Sequence, residues 1–204
     1  MTMIKNIVFD LGRVLYRFWP RDDLISLGYS DAKADELMDC IFHNPLWLDM
    51  DRGFYTLPEA VEKYCSDFPH LEAEIRRVLD DTWQDRVETI MPESLDFFYD
   101  VKARGFKTFV LSNWSGDGFD YIRKRDAFLF EKFDGIVVSG YEGVIKPEPE
   151  IYHRLLNRHG LVPGETLFID DNDNNIASAK ALGMYGIVFT NIAECKQNFE
   201  TLTK

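Results

Sequence analysis

The sequence predicts an α/β fold, in which a doubly wound (Rossmann-like) parallel sheet forms the core and an all-helical cap is inserted into it. Five short runs rich in β-branched and apolar residues recur along the chain, and helical patterns separate the last four of them. About seventy residues without a convincing strand lie between the first run and the rest, which is too long for one plain loop in a compact domain. The alternating strands and helices predict the core, and the long segment without a strand predicts the cap.

The five candidate strands span residues 4–9, 108–111, 135–138, 166–169 and 185–189. Most of these runs are continuously apolar and do not alternate between apolar and polar residues. Strands that are buried on both faces of a parallel sheet have this pattern, because helices cover each face.

Three apolar stripes at helical spacing accompany the later strands, at residues 92–104, 148–159 and 174–182. Each stripe stops at a glycine, which commonly ends a helix because it adopts the left-handed backbone conformation without strain. Strands that alternate with such helices favour a doubly wound sheet.

The cap is predicted from helix-start signals and apolar stripes in residues 16–86. Ser30 can cap one helix, whose apolar stripe runs from Ala34 to Phe42. Thr56 with Glu59 forms a capping box for a second helix, and a third apolar stripe begins at Leu71. We therefore divide the chain into an α/β core of residues 1–15 and 87–204 and a helical cap of residues 16–86, inserted after strand one.

Composition and charge restrict the classes of partner. The formal net charge of −12 argues against nucleic acid and anionic membranes, since both require clustered Lys and Arg. The first apolar run is too short for a signal peptide, and no apolar stretch reaches the length of a membrane span, so we expect a cytoplasmic protein. The three cysteines show neither a disulfide framework nor a zinc pattern.

Polar residues collect where the candidate strands end. In an open α/β sheet, ligands bind beyond the carboxyl ends of the strands. One Asp or a Ser-Asn pair at such a place is usually a turn or a helix cap. Four such groups at the same edge make that reading insufficient: Asp10, Ser112 with Asn113, Lys146, and Asp170 with Asp171.

The chemistry of this set is coherent. Three carboxylates close together repel one another, and hard oxygen ligands without His or Cys favour Mg²⁺ as the cation that relieves the repulsion. Lys146 adds a positive charge that suits a phosphate, Ser112 a hydroxyl, and the main-chain N–H groups of Asn113 and Trp114 are candidate anion donors. The set suits phosphoryl transfer through an aspartyl-phosphate.

Four segments resemble motifs one to four of the haloacid dehalogenase superfamily: FDLGRVL at residues 9–15, LSN at 111–113, KP at 146–147 and FIDDNDNN at 168–175. The resemblance implies that Asp10 is the nucleophile and a metal ligand. It also implies that the carbonyl of Gly12 and the carboxylate of Asp171 are direct Mg²⁺ ligands. Asp170 and Asn175 would hold metal-bound water.

The remaining roles also follow from the resemblance. Ser112, Asn113 and Lys146 would hold the phosphate, and the insertion between motifs one and two is where the family places its helical cap. The segment Asp51-Arg52-Gly53 resembles a cap loop of the sugar-phosphate phosphatase branch, so Arg52 is the candidate cap residue for substrate binding. The implied partner is a small phosphorylated metabolite, and we expect a monomer or a weak homodimer.

The sequence departs from the family pattern at Gly12. Most phosphatases of the family carry there a second Asp that protonates the leaving group, and such acid–base help supplies about 10²–10⁴-fold in rate. The Asp-Leu-Gly motif resembles a branch that includes glucose-1-phosphate phosphatases, whose substrates have a better leaving group. We therefore expect the rate to depend steeply on the pKa of the leaving group, unless another side chain, such as Arg52 or His43, donates the proton.

Three other interpretations of the function remain open. A 2-haloacid dehalogenase also lacks the second Asp, but it uses no metal and carries Ser-Ser-Asn where this chain has Asp170-Asp171-Asn172. A non-catalytic binding protein on the same scaffold is conceivable because of Gly12. A phosphomutase is disfavoured because it depends on the missing acid.

Overall fold

A computed structural model describes residues 3–80 and 82–204, apart from the side chain of Val87. Within these residues, five parallel strands form one sheet in the order β3-β2-β1-β4-β5. The strands are β1 (Asn6–Phe9), β2 (Lys107–Ser112), β3 (Gly135–Val138), β4 (Thr166–Asp170) and β5 (Tyr185–Val188). The predicted fold class is confirmed, and each strand lies where the sequence indicated.

The strand order places the carboxyl ends of β1, β2 and β4 side by side. Phe9, at the end of β1, lies between Val110 of β2 and Ile169 of β4 in the parallel register. Every residue of β1 and β4 is buried, which explains why these runs are continuously apolar up to the strand ends. Polar residues that follow these strands therefore meet at one edge of the sheet.

Helices of the core cover both faces of the sheet, and a separate apolar cluster lies on each side. They are α7 (Pro92–Ala103), α8 (Gly116–Arg125), α9 (Ala127–Phe130), α10 (Ser139–Glu142), α11 (Pro149–His159), α12 (Asp173–Ala181) and α13 (Ile192–Leu202). Helix α11 ends at Gly160, whose φ of 61° is left-handed, as the glycine signal predicted.

Between β1 and α7 the described chain is helical. The helices are α1 (Pro20–Ser26), α2 (Asp31–Leu37), α3 (Pro45–Asp51), α4 (Leu57–Asp67), α5 (Glu72–Val78) and α6 (Trp83–Val87), with a π-helix at Met38–Phe42 and a 3₁₀ turn at Pro69–Leu71. The predicted caps are present: Ser30 accepts a hydrogen bond from the N–H of Lys33, and Glu59 accepts one from the N–H of Thr56.

The helical segment has an apolar core of its own, which includes Leu24, Leu37, Tyr64 and Ile75. Tyr16, by contrast, packs in the cluster beside the sheet. This separation supports our proposal that residues 16–86 are a cap on a core of residues 1–15 and 87–204, with Tyr16 as the anchor at the junction. Among the described residues, no helix combines the length and the apolar character that a membrane crossing requires.

Candidate active site

The predicted carboxylates converge at the carboxyl edge of the sheet. Asp10 directly follows β1, Asp170 is the last residue of β4, and Asp171 comes next. Each of the three offers a carboxylate oxygen within 4.8 Å of the other two. The cluster forms because β1 and β4 are parallel neighbours and end side by side at the carboxyl edge of the sheet.

The two carboxylate oxygens of Asp10 have different surroundings. Oδ1 accepts hydrogen bonds from the N–H of Leu11 at 2.7 Å and from Oγ of Ser112 at 2.7 Å, and it lies 2.8 Å from Nζ of Lys146. Within residues 3–80 and 82–204, no donor is bonded to Oδ2. One oxygen is therefore held in place, while the other has no donor among the described residues.

Lys146 is the buried cation of the site. Its side chain is about 1% exposed, and Nζ lies 2.8 Å from Oδ1 of Asp10 and 2.7 Å from Oδ2 of Asp170. Burial by itself lowers the pKa of this ammonium, but the two carboxylates outweigh that effect and raise it. Lys146 is therefore positively charged at neutral pH and partly neutralises the acidic cluster.

Asn113 positions Lys146. Its side-chain oxygen accepts from the N–H of Lys146 at 2.8 Å, and its Nδ2 donates to the carbonyl of Lys146 at 3.0 Å. The second N–H of this amide and the main chain of Asn113 are the groups left to meet a substrate. The sequence predicted a phosphate contact here but not this paired contact with the lysine backbone.

Asp170 is bonded on both oxygens. It accepts from the N–H of Asn172 at 2.8 Å, from Nδ2 of Asn175 at 3.0 and 3.1 Å, and from Nζ of Lys146. Asp171 is more open, with a quarter of its side chain exposed and Nη1 of Arg13 at 3.7 Å. This contrast makes Asp171 the better placed of the two acids for direct contact with a cation.

The carboxylates destabilise one another's charged forms. The pKa of Asp10 is raised to about 7, first by burial, with Lys146 opposing and Asp170 and Asp171 adding to the rise. Burial and Asp170 also raise the pKa of Asp171. A bound divalent cation would favour the ionised forms, and the donor set of hard oxygens fits Mg²⁺.

The structure gives protein partners to two groups that were expected from the sequence to meet the substrate. The N–H of Trp114 donates to Oγ of Ser139 at 3.0 Å, so the expectation that it is free to bind an anion is wrong. The chain after β2 is hydrogen-bonded to α10 here, because the N–H of Gly140 also donates to the carbonyl of Trp114. Arg52, the predicted substrate contact, forms an ion pair with Glu148, so its guanidinium is shared with a core carboxylate.

A cavity of about 110 Å³, here called the cap cavity, lies between the cap helices and the core site. Gly12 and Trp114 line it from the core, and Trp47, Asp51 and Trp83 line it from the cap. Glu88, which is 2% exposed, completes the wall.

Sequence reasoning missed Asp51, Glu88 and Trp83. The available signal was weak: Asp51 directly precedes the Arg52-Gly53 pair that resembles a cap loop.

The family is shown by comparison with known proteins. A family model described as haloacid dehalogenase-like hydrolase matches residues 43–183, more than half of the chain. The chain therefore belongs to the haloacid dehalogenase-like hydrolase family.

Particular relatives differ in length and activity. The sesquiterpene phosphatase astK of Aspergillus oryzae is 26% identical over 199 residues, covering 96% of this chain and 95% of that protein. The D-ribitol-5-phosphate phosphatase of Bacteroides thetaiotaomicron is 26% identical over 209 residues, covering 98% of each. Other relatives are longer, and the chain spans about a fifth of their length.

A solved structure shares the fold. It is the family enzyme bt-2542 of Bacteroides thetaiotaomicron in complex with magnesium and inorganic phosphate, with a TM-score of 0.67. The two chains are 24% identical, and the match covers 90% of this chain and 93% of the other.

Proposed function

We propose that the protein is a magnesium-dependent phosphatase that hydrolyses a small phosphorylated metabolite through an aspartyl-phosphate on Asp10. The observation that carries this proposal is the asymmetric carboxylate of Asp10. Ser112 and Lys146 hold Oδ1, while Oδ2 has no bonded donor in the described part of the chain. A carboxylate held in this way is a preorganised nucleophile.

The side chains around Asp10 have separate roles in the proposed reaction. Oδ2 attacks phosphorus, and Lys146 stabilises the negative charge of the phosphoryl oxygens, since its ammonium is already beside the nucleophile. The free N–H groups of Asn113 donate to the same oxygens, and the single O–H of Ser112 does so once it leaves Oδ1 of Asp10. Asp10, Asp171, Asp170 and the carbonyl of Gly12 would hold Mg²⁺, which when bound neutralises the phosphate and the clustered acids.

The relatives support this class of reaction. The two that match the chain over nearly their whole length are a D-ribitol-5-phosphate phosphatase and a sesquiterpene phosphatase. The similar structure of bt-2542 holds magnesium and inorganic phosphate. These names favour a phosphate monoester with a small organic leaving group.

A narrower proposal concerns the leaving group. We infer a sugar phosphate, and among these a sugar 1-phosphate, because Gly12 leaves proton donation to a residue outside motif one, and an anomeric oxygen, which leaves more easily than a primary alkoxide, depends less on such a donor. The resemblance of the Asp-Leu-Gly motif to glucose-1-phosphate phosphatases supports the same choice. Three Trp side chains in the wall of the cap cavity offer flat surfaces on which a sugar ring can pack.

The acidic pair at the end of β4 weighs against the 2-haloacid dehalogenase. Asp170 and Asp171 lie within 4.8 Å of the nucleophile and would repel the carboxylate of a haloacid. The preformed contacts of Asp10, Ser112 and Lys146 likewise weigh against a binding protein without catalysis.

The test is turnover of p-nitrophenyl phosphate and a panel of phosphorylated metabolites, with Mg²⁺ and after exhaustive chelation. We expect activity only with Mg²⁺, and Asp10→Asn is the matched control, because the amide keeps the shape but lacks the anionic oxygen. We expect that variant to remain folded and to lose at least ~10³-fold, about 4 kcal/mol of barrier. Full activity after chelation, or near-normal turnover by Asp10→Asn, would contradict the proposal.

A further inference from the structure

The structure offers a side chain for the role that Gly12 leaves open. A Cβ built on Gly12 meets no atom of the described chain within 4 Å, so position 12 faces open space, and that space is the cap cavity. A leaving group attached to phosphorus at Asp10 can extend into this cavity. Any proton donor for it must come from the cavity wall.

Two acids, Asp51 and Glu88, line the cap cavity together with Gly12. Oε2 of Glu88 accepts a hydrogen bond from Gln84 at 3.1 Å, which holds this carboxyl in the cavity wall. No described residue is bonded to the carboxyl of Asp51, so Asp51 is the acid that is free to meet the leaving oxygen.

We propose that Asp51 donates the proton to the leaving oxygen, an inference that rests on the proposed phosphatase function. Oδ2 of Asp10 bonds to phosphorus while the bond from phosphorus to the ester oxygen breaks, and the electron pair of that bond accepts the proton of Asp51. Water then attacks the aspartyl-phosphate and gives a proton back to Asp51. This second step releases phosphate and restores the Asp10 carboxylate.

The surroundings of Asp51 suit a proton donor. No hydrogen bond or ion pair holds its carboxyl among residues 3–80 and 82–204, and burial, with Asp10 adding to it and Lys146 opposing, raises its pKa to about 7. A carboxylic acid with a pKa near the working pH is effective in both directions of proton transfer.

The main chain of Asp51 is fixed to the core. Its carbonyl accepts from Oγ of Ser139 at 2.5 Å, and Ser139 is fully buried. The neighbouring Arg52 is ion-paired with Glu148 of the core. The end of α3 that carries Asp51 is therefore bonded to the core at two adjacent residues.

A further group in the cavity indicates a polar leaving group. Nε1 of Trp83 is buried without a hydrogen-bond partner among the described residues, and its ring lines the cap cavity. A buried donor without a partner costs free energy, and an oxygen of the bound substrate would satisfy it. The cavity is therefore suited to an alcohol that carries additional oxygen atoms.

The experiment measures kcat/KM for phosphate esters graded by the pKa of their alcohols, from p-nitrophenyl and phenyl phosphate to glucose 1-phosphate and glucose 6-phosphate. The variants are Asp51→Asn and, as the matched control from the same cavity, Glu88→Gln. We expect Asp51→Asn to slow the alkyl esters by about 10²–10⁴-fold but p-nitrophenyl phosphate by less than ~10-fold. In the wild type and in Glu88→Gln, kcat/KM should change only slightly with the pKa of the alcohol.

A rescue variant separates proton donation from a structural role. Gly12→Asp places a carboxyl into the same open space, so adding it to Asp51→Asn should restore the shallow dependence if a donor is all that is missing.

Three results would overturn the assignment of Asp51. They are a slope of kcat/KM against alcohol pKa that is unchanged in Asp51→Asn, an equal loss of activity on all esters, and a steep slope in Glu88→Gln instead. Each of them would leave the phosphatase function in place. A wild-type protein without Mg²⁺-dependent turnover would overturn both proposals.

Discussion

At the scale of single residues, Asp170 and Asp171 show how neighbours in sequence acquire different tasks. Three donors hold Asp170 through four hydrogen bonds, whereas Asp171 has a guanidinium at 3.7 Å as its ion-pair partner. We expect Asp171→Ala to weaken Mg²⁺ binding by at least ~10-fold more than Asp170→Ala does. We expect Asp170→Ala to lose more folding stability, about 3 kcal/mol, because it removes a partner of the buried Lys146.

Titration calorimetry with Mg²⁺ and urea unfolding of the two variants measure these two effects separately. Equal loss of Mg²⁺ affinity in both variants would contradict the ranking of the ligands. Equal stabilities would contradict the structural role of Asp170.

The same scale shows which site residues were predictable from the sequence. Asp10, Ser112 and Asp170 could be placed because each sits at the end of a buried parallel strand, where register alone determines its position. Asp51 could not be placed, since it reaches the site only through packing of the cap on the core. Glu88 lies in the connection from the cap back to the core, where no strand end fixes its position. The occupied N–H of Trp114 was missed because Ser139 reaches it from another element of the core.

At the scale of elements, the connection between α3 and α4 determines how the cap sits on the core. Gly53 has a φ of 78°, and a Cβ built there would lie 2.1 Å from the carbonyl oxygen of Gly140. The N–H of Leu57 donates to Oδ2 of Asp117 at 2.7 Å, which fixes the start of α4 to the core as well. The position of Asp51 therefore depends on a close approach that only glycine permits.

We expect Gly53→Ala to displace this connection and lower kcat/KM by at least ~10-fold. Gly28→Ala is the matched control, because Gly28 also has a positive φ, 91°, but a Cβ there meets no described atom within 4 Å. Both variants carry the left-handed strain of about 1–2 kcal/mol, so only the collision with Gly140 differs between them. The measurement is kcat/KM together with the free energy of unfolding, and equal losses of activity in both would contradict this role of Gly53.

The elements themselves were predicted unevenly. All five strands and three core helices, α7, α11 and α12, follow from apolar runs and glycine stops, which are local signals. Helices α8, α9, α10 and α13 were not predicted from the sequence. In the cap, the apolar stripe from Ala34 to Phe42 predicted one helix, whereas the structure has α2 followed by a π-helix at Met38–Phe42. Apolar periodicity specifies which face is buried, but it does not distinguish a regular α-helix from one that widens within its last turns.

At the scale of the whole molecule, the buried acids at the junction of cap and core link folding to pH. Asp51 has a pKa of about 7 in the folded protein, above its ordinary value of 3.8, because burial disfavours its charged form. A raised pKa means that the folded state binds more protons than the unfolded state. The stability that Asp51 contributes is therefore complete below about pH 4 and is lost as pH rises toward 7.

We expect the metal-free protein to lose stability across this range, and Asp51→Asn to show a shallower loss, since the amide cannot ionise. Each pKa unit corresponds to ~1.4 kcal/mol, so the difference between the two slopes should reach a few kcal/mol at pH 8. Asp10, with a pKa also raised to about 7, adds to the slope in both proteins and cancels in the comparison.

Urea unfolding at pH 4 to 8 in EDTA measures the difference, and Glu36→Gln provides the control, because the pKa of that exposed acid is lowered, not raised, in the folded protein. Parallel stability curves for the wild type and Asp51→Asn would show that Asp51 ionises freely in the folded state, and its pKa would then be too low for it to hold a proton at neutral pH.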